Sequence, residues 1–216
     1  TLWRHLGTAA FVVCAYLTGM RPPEVLGLRT GCCPEPISGS DGTIGRHLIY
    51  GRHYKTALDE HGNHAAAGEQ RDVPWVAIRP VVNAIRVLEQ MVPHEALLFD
   101  NQIHDIHRKS TNTGAILGAS MRTRIADFID WANREADRHN LAAEAIAPDP
   151  NPTIGVSRFR RTLAWHIARR PNGHIALAIQ YGHMRSTMVT ERYAGRGRDG
   201  IHHLIDVETA RAVADT

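Results

Sequence analysis

The sequence predicts an α+β domain that is mainly α-helical and contains a small antiparallel β-sheet. Apolar residues recur at helical spacing in several long segments, which indicates amphipathic helices. Between residues 43 and 78 the apolar residues instead form short runs with polar interruptions, a pattern typical of strands. A chain of 216 residues that is 43% hydrophobic can bury a substantial core, so we expect a single domain over residues 1–216.

The first helix is predicted for Leu2 to Leu17, where apolar residues follow helical spacing. Thr18-Gly19 ends this helix, and Pro22 suits the first turn of the next one. Arg21 is therefore predicted at a helix start, with Glu24 one turn later. An arginine in such a position is, taken alone, most often a surface residue.

The predicted sheet contains three short runs, at residues 44–50, 52–56 and 72–78. The intervening stretch 57–70 is rich in Gly and Ala and predicts a mobile loop.

The carboxyl-terminal half is predicted to be helical in separate pieces. Helices are predicted at residues 80–92 and 121–136, in a segment headed by Arg160, in the apolar run before Gly182-His183, and in an amphipathic tail built on residues 201–213. Residues 100–114 and 141–153 read as polar connections.

Composition narrows the class of protein. The mean hydropathy of −0.28 fits a soluble globular domain, no apolar run approaches the length of a bilayer span, and no signal peptide is evident. Three cysteines, two of them adjacent (Cys32 and Cys33), form neither a disulfide framework nor a C-x-x-C metal pattern. A reducing cytoplasm is therefore expected.

Four histidines lie in or near the predicted sheet: His47, His53, His61 and His64. Their spacing fits no recurrent zinc pattern, so we interpret them as solvated loop residues, with metal binding as the less favoured alternative.

Charge is distributed unevenly. A net charge of +3 and a pI near 9.0 permit nucleic-acid binding without arguing for it. Arginines crowd into the final third, where a bound phosphate would experience their local field. They are Arg158, Arg160, Arg161, Arg169, Arg170, Arg185, Arg192, Arg196 and Arg198.

Two stretches carry a resemblance to a known family. TGMRPPEVLGL, beginning at Thr18, is similar to the family motif T-G-x-R-x-x-E-x-x-x-L, and residues 157–193 contain S-R-F-R, Y-G-H and a later tyrosine. Y-K-T and R-D-V-P-W resemble the family's K-T and R-x-V-P-L. The chain thus resembles the catalytic domain of tyrosine recombinases, the phage integrase family, and the resemblance implies that family's fold.

The resemblance also implies roles for individual residues. The implied catalytic set is Arg21, Lys55, Ser157, Arg160, His183 and Tyr193. Glu24 would brace the site, and Arg158, Arg161 and Arg185 would contact DNA. Lys55 is better placed than Lys109, the only other lysine. Ser157 departs from the family, which has its first histidine there, and Tyr193 lies one residue later than is commonest.

These residue types suit phosphoryl transfer. Two guanidinium groups would hold an anionic phosphodiester, a histidine would donate to a phosphate oxygen, and a tyrosine hydroxyl would attack the phosphorus. Tyr181 competes with Tyr193 as the nucleophile, although its place in an apolar run favours packing.

The resemblance implies site-specific DNA recombination, such as integration or excision of a mobile element, through a 3′-phosphotyrosyl intermediate. The implied partners are double-stranded DNA and further copies of the chain assembled on it, with no metal or nucleotide cofactor and no membrane. We expect a bacterial cytoplasmic, nucleoid-associated protein whose amino-terminal DNA-clamping domain is absent from this chain. A topoisomerase IB is a less favoured label, and a non-catalytic DNA-binding or regulatory relative is the alternative.

Overall fold

The computed structural model describes residues 2–37, 45–55, 57–58, 61–104, 113–151 and 153–182. Within these residues the helices are α1 (Leu2–Thr18), α2 (Pro22–Leu26), α3 (Arg79–Met91), α4 (Gly118–Arg138), α5 (Ser157–Ala168) and α6 (Gly173–Tyr181), and a 3-10 turn lies at Ala142–Glu144. The strands are β1 (His47–Ile49), β2 (Arg52–His53), β3 (Glu69–Gln70) and β4 (Trp75–Ala77). The predicted class, α+β with a small antiparallel sheet, is confirmed at this coarse level.

Helix α1 is the centre of the packing. It contacts α2, α3, α4, α5 and β4, and its buried face includes Phe11 and Cys14, both fully buried. Phe11 meets Phe99 edge to face with ring centroids 5.8 Å apart, an arrangement that adds about 0.5–1.5 kcal/mol to the stabilisation from burial. A rigid α1 fixes the position of the turn that follows Thr18.

The end of α1 is defined by local chemistry. The Thr18 hydroxyl donates to the carbonyl of Cys14 at 2.6 Å and accepts from the backbone N–H of Met20 at 3.1 Å. Gly19 then adopts a left-handed conformation with φ +66°, which glycine enters without steric cost. The chain turns sharply here and starts α2 three residues later.

The strands form one interrupted antiparallel ribbon. β1 pairs with β4, with Leu48 opposite Val76, and β2 pairs with β3, with Arg52 opposite Gln70. Between the two pairs the backbone N–H of Arg71 donates to the carbonyl of Gly51 at 3.0 Å. At the β2 end, this ribbon contacts α2.

The prediction of a loop over residues 57–70 is wrong at its end, because Glu69 and Gln70 form β3. Pairing with β2 satisfies backbone groups that local sequence does not identify. The helices at residues 80–92 and 121–136 are confirmed, and both begin earlier than predicted. Val92 is extended and ends α3 directly before Pro93.

Helices α5 and α6 pack together, and α5 packs against α1. Their shared core consists of Ala164, Leu177 and Tyr181, with relative exposures of 3% or less. None of the helices that the structure describes is both long and apolar enough to cross a membrane. The predicted tail helix on residues 201–213 lies outside the described residues.

Candidate functional site

A cavity of about 420 Å³ opens between α2, the end of the β-ribbon and α5. Four of the residues predicted to be catalytic line it: Arg21, Lys55, Ser157 and Arg160. The predicted supporting residue Glu24 and the predicted DNA contact Arg161 line it as well. Residues far apart in the chain therefore converge on one concave surface.

Arg21 is the N-cap residue of α2 and forms an ion pair with Glu24. Its guanidinium lies 2.8 Å from one carboxylate oxygen of Glu24, and its backbone N–H donates to the other at 2.6 Å. Glu24 is 2% exposed. The carboxylate thus fixes both the backbone and the side chain of Arg21, which is half-buried at the cavity wall.

Arg160 is 4% exposed and lies on the inner face of α5. Its guanidinium donates to the carbonyl of Gly19 and, at 3.5 Å, to that of Tyr181. The guanidinium carbon also lies 3.7 Å from the centroid of the Tyr181 ring, within cation–π range. Arg160 therefore connects three segments behind the cavity: the turn after α1, α5 and the end of α6.

Tyr181 is 3% exposed, and its hydroxyl donates to the carbonyl of Arg160 at 2.8 Å. The hydroxyl is therefore hydrogen-bonded inside the core that α5 and α6 share. The geometry supports the packing interpretation of Tyr181 over its alternative role as nucleophile.

A third arginine, Arg71, stands behind the cavity. It is 8% exposed, stacks 4.2 Å over Trp75, and donates to the carbonyls of Ile179 at 2.7 Å and Gln180 at 3.0 Å. Burial lowers the pKa of Arg71 to about 10, the charge of Glu24 opposes this shift, and Arg160 and Arg21 add to it. Arg71 remains charged at neutral pH and holds the last carbonyls of α6.

Gln180 fixes the same helix end from a second direction. Its side-chain amide donates to the carbonyls of Thr18 at 2.9 Å and Val76 at 3.1 Å, and accepts from the N–H of Val76 at 3.1 Å. The end of α6 is thereby held to both α1 and β4. Gly182 follows in a left-handed conformation.

Lys55 is exposed and lies two residues after β2, in the connection to β3. Tyr54 and His64 line the cavity beside it. The Nε2 atom of His64 lies 2.9 Å from the carbonyl oxygen of Tyr54, and Leu58 forms an isolated β-bridge with His64. His64 thus closes the loop that carries Lys55.

The other residues of α5 that were predicted to contact DNA or phosphate do not all line the cavity. Ser157 and Arg161 are exposed and line the cavity. Arg158 instead forms an ion pair with Asp149, at 2.6 Å, and is not among the lining residues. The Arg158 side chain keeps the pKa of that carboxyl low, together with a larger contribution from the backbone N–H of Asn151.

Charge dominates the cavity wall that the structure describes. Arg21, Lys55, Arg160 and Arg161 are cationic, and Glu24 supplies one carboxylate. Bidentate guanidinium donors together with an excess of positive charge suit a phosphate or sulfate group. Within the described part of the chain, no group of three or more His, Cys, Asp or Glu side chains could hold a metal ion.

Three predicted site residues, His183, Arg185 and Tyr193, lie outside the described residues. Comparisons with protein-family models, with curated proteins and with solved structures found no match. The convergence of the upstream residues is thus the observation on which a functional proposal can be built.

Two residues in this region are not among the predicted site residues. The sequence predicts that His64 is a solvated loop residue; it is exposed, but it also lines the cavity. Arg71 lies in R-D-V-P-W, and its position just before a buried Trp-containing strand is the local signal for it. The placement of His64 depends instead on pairing across the ribbon.

Proposed function

We propose that this chain is the catalytic domain of a tyrosine recombinase, which cleaves and rejoins double-stranded DNA through a 3′-phosphotyrosyl intermediate. The observation that carries the proposal is the convergence of Arg21, Lys55, Ser157 and Arg160 on one positively charged cavity. Their order and local motifs come from the sequence, and their proximity comes from the fold. A scattered arrangement would have removed the basis for the proposal.

The chemistry begins with charge neutralisation. A phosphodiester is anionic, and attack by an oxygen concentrates further charge on its non-bridging oxygens. Arg21 and Arg160 hold this group with guanidinium donors, preorganised by Glu24 in one case and by backbone carbonyls in the other. Ser157 donates a further hydrogen bond where the family has a histidine.

Bond exchange follows at the phosphorus. The hydroxyl oxygen of Tyr193 forms the new bond to phosphorus as the bond to the 5′ oxygen breaks. Lys55 protonates the departing oxygen as a general acid. The phosphotyrosyl bond resembles the bond it replaces, so attack by another 5′ hydroxyl reverses the step and completes strand exchange.

The decisive experiment is covalent capture of DNA. The protein is incubated with supercoiled plasmid, denatured in detergent, and digested, and the peptide bound to DNA is identified by mass spectrometry. We expect an adduct at Tyr193 that Tyr193→Phe eliminates while DNA affinity is retained, since only the attacking oxygen is lost. An adduct on Tyr181, or one that survives Tyr193→Phe, contradicts the assignment.

A non-catalytic DNA-binding relative is the second candidate, and the serine at position 157 favours it. A serine hydroxyl cannot act as a base near neutral pH. If wild-type protein forms no adduct and Ser157→His does, the chain is a binding remnant of the family. In the catalytic case, Ser157→Ala costs only a modest factor, consistent with a net hydrogen bond of about 0.5–1.5 kcal/mol.

Assembly and location follow from the same proposal. Recombination joins two DNA duplexes, so several copies of the chain would act together on DNA, in the bacterial nucleoid. Deleting the residues after Gly200 tests whether the predicted tail helix contributes to assembly. Unchanged assembly on DNA in the truncated chain would show that the tail is dispensable.

A further inference from the structure

The side chain of His64 lines the cavity, whereas no histidine of α5 is among the lining residues. The position where the resemblance expects a histidine is Ser157, whereas His64 enters the same cavity from the β-ribbon. Histidine is the side chain that ordinarily changes charge between pH 5 and 8. The loop between β2 and β3 therefore supplies the cavity with a histidine, a side chain suited to proton transfer near neutral pH.

Hydrogen bonding defines the state of the His64 ring. Its Nε2 atom lies 2.9 Å from the carbonyl oxygen of Tyr54, and a carbonyl can only accept, so Nε2 carries a proton. The second ring nitrogen, Nδ1, is then the atom that gains or loses a proton.

The position of His64 in the loop places it on the side of Lys55. The carbonyl that it contacts belongs to Tyr54, the residue directly before Lys55. The backbone N–H of Ala65 donates to the carbonyl of Ala57 at 3.0 Å, and Leu58 forms a β-bridge with His64. These contacts close the loop on itself and hold His64 beside the lysine.

Six other charged or titratable groups line the same cavity: Arg21, Glu24, Tyr54, Lys55, Arg160 and Arg161. Four of them are cationic, so an anionic phosphate is the kind of ligand that this wall attracts. His64 thus lies among the groups that would hold the phosphate.

We infer that His64 is a second proton donor of the proposed reaction and acts beside Lys55 on the departing 5′ oxygen. This inference rests on the proposed function. The Tyr193 oxygen bonds to phosphorus as the bond to the 5′ oxygen breaks, and the electron pair of the broken bond stays on that oxygen. The oxygen accepts a single proton, either from Lys55 or from Nδ1 of His64. The phenolic proton passes to water, and solvent reprotonates whichever group donated.

The test compares His64→Gln with a matched control, His61→Gln. Glutamine can keep a donor toward the Tyr54 carbonyl but cannot titrate, and His61 lies in the same loop and is not among the residues lining the cavity. The substrate is a duplex that carries the cleavage site mapped on the plasmid adduct. It is prepared with either oxygen or sulfur at the 5′ bridging position of the scissile phosphate.

With the oxygen substrate, we expect His64→Gln to slow adduct formation by about 10²-fold in the Lys55→Ala background, the lower end of the usual contribution of a general acid, and by less where Lys55 remains. The sulfur substrate, whose leaving group needs no proton, should restore the wild-type rate. In Lys55→Ala, residual cleavage should fall as the pH rises from 6 to 8, and adding His64→Gln should remove that dependence. A defect that persists with sulfur, or equal effects of His64→Gln and His61→Gln, overturns the inference.

A measurement that needs no cleavage separates this inference from the proposed function. Sulfate serves as the anion in an NMR experiment on the histidine rings at constant pH. The ring signals of His64 should shift as sulfate is added, while those of His61 stay in place. Unshifted His64 signals overturn the role of His64 even if the protein forms the adduct, whereas a missing wild-type adduct refutes the proposed function itself.

Discussion

Replacing Gly19 with alanine tests whether the turn after α1 and the cavity form one packed unit. Gly19 has φ +66°, and a Cβ there would lie 2.6 Å from Cζ of Tyr181, far inside van der Waals contact. The Tyr181 ring cannot retreat freely, because its hydroxyl donates to the Arg160 carbonyl and the Arg160 guanidinium lies 3.7 Å from its centroid. The added methyl group must therefore displace Tyr181, Arg160 or the turn itself.

Gly31 provides the matched control. Its φ is +76°, and no described atom lies within 4 Å of a Cβ built there. Gly31→Ala thus reports the backbone strain of a left-handed alanine alone, about 1–2 kcal/mol. Gly19→Ala adds a steric cost of about 1–3 kcal/mol, typical of overpacking. We expect total losses in the free energy of unfolding of about 2–5 kcal/mol for Gly19→Ala and about 1–2 kcal/mol for Gly31→Ala.

Urea unfolding of both variants measures the difference, and a second substitution assigns its cause. Tyr181→Leu shortens the side chain that the new methyl group meets, so Gly19→Ala should cost less in that background than in the wild type. Equal losses at Gly19 and Gly31 would refute the reasoning, as would a Gly19→Ala cost that Tyr181→Leu leaves unchanged.

Three further predictions concern other parts of the fold. Arg71→Ala should lower the free energy of unfolding by about 2–4 kcal/mol, because it leaves two carbonyls of α6 without their charged donor. The control Arg52→Ala removes exposed contacts to the carbonyls of Ala67 and Gly68 and should cost under about 1 kcal/mol. Equal losses of the two variants in urea unfolding would contradict this account. Burial lowers the pKa of His104, so the unfolded chain binds a proton that the folded chain does not. The free energy of unfolding should therefore fall as the pH drops below about 6.5, by at most about 1.4 kcal/mol per pH unit from this group. In His104→Gln this part of the pH dependence should vanish from the urea midpoints, and an unchanged pH dependence would argue against it. Burial raises the pKa of Cys14 to about 12, and all three thiols are buried. A thiol reagent at pH 8 should therefore label none of them until urea unfolds the chain. Rapid labelling of the native protein would refute that burial.

Sequence could predict the parts of the fold and site that depend on local chemistry. Thr18, Gly19, Arg21 and Glu24 lie within seven residues of one another, so the helix end and the next helix start were predictable from spacing. The same holds for the helix that bears Arg160. The bracing role of Glu24 was implied only by the family resemblance. Periodicity and capping operate within a few residues, which is the range over which sequence reasoning is reliable.

Contacts across the chain could not be predicted in this way. Arg71 meets Gln180 across 109 positions, and Arg160 meets Gly19 across 141. β3 forms only because the ribbon brings residues 69–70 opposite β2, and the same pairing carries His64 into the cavity. No local pattern encodes these meetings, since they depend on where α1 places the elements around it.

The buried charges connect the stability of the fold with its proposed function. The charges of Arg21, Arg160 and the buried carboxylate Glu24 all act on Arg71. Each guanidinium is retained by hydrogen bonds to carbonyls or to Glu24, yet positive charge remains in excess, which opposes folding when no anion is bound. A phosphate in the cavity offsets that excess and binds only to the folded chain, so binding energy adds directly to stability. An arrangement optimised for stability alone would replace one of these arginines with an apolar side chain; keeping all three makes physical sense if the protein binds an anion there.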